Sequence, residues 1–161
     1  MKTKKISKVL IALDYDPTAA KVAELGYSLA KTMDAEVILL HVIVDGTYYS
    51  ALEYVPVIGP VGFSNIEMAH IKDSDGLKNA TQHFLDKTKE HLGDDKIKTI
   101  VKEGDFADSI VKTAIEIHAD IIVMGSHSRR WLEEIILGSV TEKVLRHTKI
   151  PLYIIPTKKH D

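Results

Sequence analysis

Short apolar runs rich in Val and Ile alternate with segments of helical period along the chain, and this alternation constrains the fold more than any other feature. Residues 8–13, 36–42, 119–124 and 152–155 are apolar at nearly every consecutive position. Such runs read as strands buried on both faces, the habit of parallel sheets covered by helices. A fifth run, 96–102, sets Ile97, Thr99 and Val101 against Lys98, Ile100 and Lys102 and is expected near an edge.

The segments between them carry helix signals. Asp16-Pro17-Thr18 offers an N-cap followed by proline at the first helical position, and Val22, Leu25, Leu29 and Met33 then recur at three- and four-residue steps. Leu77, Ala80, Phe84, Thr88 and Leu92 mark a second helix. Asp105 opens a third carrying Ile110, Val111, Ala114 and Ile115, and Ser139 a fourth with Val140, Val144 and Leu145 on one face. The order β-α-β-α-β-α-β-α-β predicts an α/β fold, a doubly wound parallel five-stranded sheet with right-handed crossovers and helices on both faces. Ligands in that architecture sit outside the carboxyl ends of the strands, where the strand order reverses.

At 161 residues the chain is long enough for one well-buried domain and short for two, so 1–161 is expected to be a single domain. One connection, at about 43–69, is unusually long and mixes Gly46, Pro56, Gly59, Pro60 and Gly62 with Tyr48, Tyr49, Tyr54, Val57, Ile58 and Phe63. Its apolar content suits either a flap packed on the domain or a surface for an unidentified protein partner. A formal net charge of -2 creates no field for nucleic acid or an acidic membrane, and neither partner is expected. With no cysteine, disulfides and thiolate chemistry are excluded. The apolar stretch after the lysine-rich start ends at Asp14, too short for a signal-peptide core or a membrane span, so the cytoplasm is the expected compartment.

Chemistry is concentrated in MGSHSRRWLEEIILGSVTEKVL, residues 124–145. Gly125 ends a strand, where a missing side chain would let backbone N–H groups approach a ligand, and Gly138-Ser139 begins a helix whose N-terminal donors and dipole favour an anion. Equally, Ser139-Val140-Thr141-Glu142 is a capping-box pattern that needs no ligand, and glycine after a strand is ordinary turn chemistry. The residues alone leave both readings open. No P-loop and no G-x-G-x-x-G occur, and the eight histidines include no close metal-ligand pair. No catalytic residue and no metal-ligating protein residue are therefore named. Arg129, Arg130 and Glu133-Glu134 also read as a solvated stretch, and Trp131 as a packing residue.

Taken together, Met124-Gly125-Ser126-His127, Leu137-Gly138-Ser139-Val140, Glu142-Lys143-Val144 and Ile150-Pro151 before a final apolar strand resemble the universal stress protein family. Residues 9–14, His41-Val42 and Glu103-Gly104-Asp105 are similar to that family as well, and 43–69 is the least similar part. The resemblance implies a sheet of order 3-2-1-4-5 and, in the nucleotide-binding branch, ATP held by G-x-x-G, nine residues, then G-(S/T). By position, Ala12 and Val42 would line the adenine pocket, with Leu13 beside them, and Asp14 would accept hydrogen bonds from ribose. The backbone of Met124 and Gly125 would pass along the nucleotide, and Gly138, Ser139 and Val140 would meet the phosphates. Ser126, His127, Ser128 and Arg129 complete the implied site.

Ser128 stands where the family pattern has its second glycine. A positive φ there would cost about 1 to 2 kcal/mol, roughly one to one and a half decades of affinity. The resemblance thus implies a stress-response sensor or regulatory module for ATP or AMP, with Mg or Mn on the phosphates and slow or no hydrolysis. The alternative is a dimeric interaction protein without nucleotide, its pocket closed by Ser128 and Trp131. The family also pairs last strands across a two-fold axis, implying a homodimer through Leu152, Tyr153, Ile154 and Ile155.

Overall fold

Strand β1 (Lys8–Leu13) has Val9, Leu10 and Ile11 entirely removed from solvent, which requires cover on both faces and a strand on each side. The computed structural model, which describes residues 2–14, 18–43, 74–126 and 138–157, supplies all four. Chain order runs β1, α1 (Ala19–Thr32), β2 (Glu36–Ile43), α2 (Ser74–Leu92), β3 (Lys98–Glu103), α3 (Phe106–Glu116), β4 (Ile121–Gly125), α4 (Ser139–His147) and β5 (Leu152–Ile155). The five strands form one parallel sheet, as the alternation predicted, in the order β3-β2-β1-β4-β5 that the resemblance implied.

The sheet separates two cores. On one face Val9, Ile11, Val123 and Ile155 pack with Val22 and Ala23 of α1 and Phe84 and Leu85 of α2. On the other Leu10, Ile38, Leu40 and Ile122 pack with Ala107, Ile110 and Ala114 of α3 and Val144 of α4. Each fully buried aliphatic side chain contributes about 1.5 to 3 kcal/mol, so this two-sided burial outweighs any single polar contact in the molecule. β3 is an edge strand with both ends exposed, as its alternating pattern predicted.

Three helix faces differ from their predicted form. The buried stripe of α1 is Ala19, Val22, Ala23, Gly26 and Ala30, while Leu25 is 44% exposed. Small residues win because α1 lies so close to the sheet that a Cβ on Gly26 would stand 2.9 Å from Cδ1 of Ile11. Ile115 on α3 and Leu145 on α4 likewise point outward, and Thr113 and Thr141 take the inner positions. The N-cap of α1 is Thr18, and Asp16 and Pro17, expected to open the helix, lie outside the described residues. Ile43, expected to open the long connection, is the buried last residue of β2. Residues 44–73, which hold most of that connection, lie outside the described residues.

Candidate functional site

Strand order reverses between β1 and β4: the chain leaves β1 toward β2 and β3, then crosses back to β4 and β5. The register Val9↔Ile121, Leu10↔Ile122 and Ile11↔Val123 carries the carboxyl ends of both strands to one level, so Leu13-Asp14 and Gly125-Ser126 flank a common crevice. Asp14 is exposed at the end of β1. Parity along the strands sorts the other predicted residues. Ala12, Val42 and Met124 share the sheet face covered by α3 and α4, and Leu13 turns its side chain into the opposite core.

His41 fixes the end of β1. Its ring is buried at 1% exposure, and Nδ1 donates to the carbonyl oxygen of Leu13 at 2.7 Å, immediately before Asp14. Since a carbonyl only accepts, that bond sets the tautomer.

Backbone hydrogen bonds close the other side of the crevice. Ser126 N–H donates to Ile155 O at 2.9 Å, and Gly138 N–H donates to Ser126 O at 3.0 Å. The chain therefore returns to its own point of departure across 127–137. Thr141 Oγ1 donates to Gly125 O at 3.0 Å and ties the first turn of α4 to the end of β4. Ser126 Oγ accepts from Thr157 N–H at 3.2 Å, drawing in the chain after β5. His127, Ser128, Arg129 and Trp131, all singled out from the sequence, lie outside the described residues.

The two glycines of the segment have structural roles of their own. A Cβ on Gly125 would stand 3.1 Å from both Thr157 Cγ2 and Val22 Cγ2, on the α1 side of the sheet. Packing against α1 and the last segment by itself requires a residue without a side chain there. The expected capping box does not form: Gly138 (φ -54, ψ 147) is the N-cap of α4 and has no side chain to cap it, and Ser139 is the exposed first residue of the helix. The first intrahelical bond is Glu142 N–H to Gly138 O at 2.9 Å. The N–H groups of the opening turn thus point beyond the carboxyl end of the sheet with the positive end of the helix dipole behind them.

Charge around α4 is organised from α3. Asp105 caps α3 by accepting from Asp108 N–H at 3.0 Å, and Lys143 Nζ donates to the same carboxylate oxygen at 3.0 Å. The bond from Asp108 N–H and the lysine hold the Asp105 carboxyl below its ordinary range, and Asp105 in turn raises Lys143. Thr141, Thr157, His41 and Lys143 were not predicted as site elements. Only the Glu142-Lys143-Val144 motif and the His41-Val42 pair hinted at two of them. Among the described residues no three His, Asp or Glu side chains gather where they could hold a metal ion, and no helix is long and apolar enough to cross a membrane.

Fold and crevice together define a doubly wound α/β protein whose switch point ends in a glycine-capped helix. The family model of the universal stress protein family matches residues 5–156, and the chain belongs to that family. Universal stress protein MJ0577 of Methanocaldococcus jannaschii is 33% identical over 155 residues, covering 94% of this chain and 95% of its own. The solved structure of MJ0577 superposes with a TM-score of 0.71 at 29% identity, covering 98% of this chain and 100% of that one. A universal stress protein solved with cAMP has a TM-score of 0.61 at 18% identity, covering 96% of this chain and 100% of that one. One from Archaeoglobus fulgidus solved with dAMP has a TM-score of 0.61 at 15% identity, covering 94% and 99% respectively. At those last two identities the likeness is one of fold.

Proposed function

We propose that this universal stress protein binds an adenine nucleotide in the β1/β4 crevice and acts as a sensor or regulatory module. The observation that carries the reading is the start of α4: a glycine N-cap without a side-chain cap, anchored to Ser126 O, with backbone donors directed past the sheet. Ala12, Val42 and Met124, on one sheet face, form an apolar wall for the base, and the Leu13-Asp14 backbone step presents Asp14 to the ribose. The Gly125-Ser126 backbone and Gly138, Ser139 and Val140 take the phosphates, with His127, Ser128 and Arg129 as further contacts. Adenine nucleotides are also what the two structurally similar proteins described above carry.

The carboxylate donor in this reading is Asp14 alone, so Mg or Mn would be held chiefly by phosphate oxygens and water, as Mg commonly is. No general base is assigned, and the module works by occupancy rather than turnover. It acts as a single cytoplasmic domain that pairs through β5. Tyr153, 44% exposed, and the half-buried Leu152 and Ile154 offer contact area, whereas Ile155 belongs to the protomer's own core. A protein partner at 43–69 and the absence of nucleic acid and membrane partners complete the proposal.

Isothermal titration with ATP, ADP and AMP tests it. Saturable heat at sub-millimolar nucleotide, lost in Asp14→Ala, is expected. Neither heat nor a thermal shift at millimolar nucleotide overturns it in favour of an interaction protein without nucleotide. Light scattering reporting a monomer at micromolar concentration overturns the β5 dimer.

A further inference from the structure

Lys143 lies four residues after Ser139 on α4 and therefore on the same face of the helix. A helical side chain leans toward the N-terminus of its own helix, so the ammonium reaches back over the opening turn. There it donates to Asp105 at 3.0 Å and stands 3.7 Å from Asp108. Both carboxylates belong to the first turn of the neighbouring helix, Asp105 as its N-cap. Two negative charges thus share one lysine beside the glycine-capped start of α4. Lysine and carboxylates are about half exposed, at 43% and 53%, which makes this a weak, salt-screened tie that a multiply charged anion can displace.

We propose that Lys143 discriminates nucleotides by phosphate length. It passes from Asp105 to the outer phosphates of a triphosphate and leaves a monophosphate untouched. The inference rests on the nucleotide reading above. On that reading the phosphate chain runs from the Gly125-Ser126 backbone toward the start of α4, which would bring its far end within reach of Lys143, one turn beyond Ser139. Triphosphate occupancy then releases the Lys143–Asp105 pair between α4 and α3, while Asp105 keeps its cap on Asp108 N–H and the apolar packing of the two helices stays. ATP and AMP complexes differ in the joint between these two helices, which gives the module two distinguishable liganded states.

Titrations of the full chain with ATP and with AMP, on wild type, K143Q and D105N, test the idea. Asparagine caps a helix as well as aspartate does, so D105N removes the competing charge and keeps the cap. K143Q is expected to weaken ATP about fivefold and leave AMP within about twofold, while D105N tightens ATP about two- to threefold with AMP unchanged. A purely structural ion pair would lower the melting temperature in both variants and leave the ATP-to-AMP affinity ratio at its wild-type value. An unchanged ratio in K143Q, or ATP weakened in D105N as in K143Q, overturns the inference while nucleotide binding itself stands. Wild-type protein that binds neither nucleotide overturns the nucleotide reading and this inference with it.

Discussion

The two ends of the sheet are closed by opposite means. At the amino end a buried carboxylate, Asp120, gathers donors from three residues. Its Oδ2 accepts from Ser7 N–H at 2.9 Å, Ser7 Oγ at 2.9 Å and Lys8 N–H at 3.1 Å, and its Oδ1 pairs with Lys4 at 2.7 Å. The backbone returns the contact, Asp120 N–H donating to Lys8 O at 2.8 Å. At the carboxyl end, closure rests on glycines, threonines and the peptide backbone, and the N-cap of α4 is a glycine with no side chain to engage the donors of the first turn. A saturated end serves stability, because an unpaired buried polar group costs more than a satisfied one contributes. An end whose helix start carries no side-chain cap can serve a ligand. Changes at the first should alter stability alone, and changes at the second should separate stability from binding.

The largest effect is expected at the saturated end. Asp120→Ala removes the acceptor of three hydrogen bonds and an ion pair and should lower unfolding free energy by about 3 kcal/mol in urea titrations, with nucleotide affinity of the folded protein unchanged. The bonds from Lys4 and Ser7 hold the Asp120 carboxyl far below its ordinary value. A depressed carboxylate contributes stability that is fully present above the unfolded pKa and is lost as pH falls through the folded one. Wild-type stability should therefore decline as pH drops below about 4. Asp120→Asn should flatten that acid limb when melting temperature is followed against pH.

Next comes Gly125→Val, which drives a branched side chain into Val22 and Thr157. A cost of about 2 kcal/mol is expected from overpacking, together with weakened nucleotide binding as the end of β4 shifts. Binding at wild-type strength in this variant would remove Gly125 from the proposed site. Thr141→Val keeps the shape and deletes the hydrogen bond to Gly125 O, for about 1 kcal/mol in chemical denaturation. The smallest effect sharpens the contrast most. Gly138→Ser supplies the missing cap, which should add a few tenths of a kcal/mol to stability while lowering nucleotide affinity, because the hydroxyl then occupies a donor. Stability and affinity rising together would contradict a ligand role for that turn.

Much of this arrangement was legible in the residues. Consecutive apolar positions such as Val9-Leu10-Ile11 can be buried only between helices, so the layered sheet follows from burial alone. Asp105 was readable as an N-cap because capping is local. Leu25, Ile115 and Leu145 were misassigned because helical period defines an apolar stripe without saying which part of it meets the sheet. The close approach of α1 over Ile11 reserves the contact for Gly26 and its alanine neighbours. The Ser139 capping box failed for a related reason: Gly138 N–H is held by Ser126 O, a partner twelve residues away in sequence, and that contact sets where the helix starts.

Sequence by itself determined the α/β class, the five strands and the segments in which a site would lie, because periodicity and burial are properties of neighbouring residues. Tertiary structure alone decided what those segments do to one another. It placed Gly125 against Val22 and Thr157, turned Leu13 away from the face shared by Ala12, Val42 and Met124, and set Lys143 on the cap of another helix. Such relations depend on distances between residues far apart in the chain. They exist only once the sheet has brought its strand ends together.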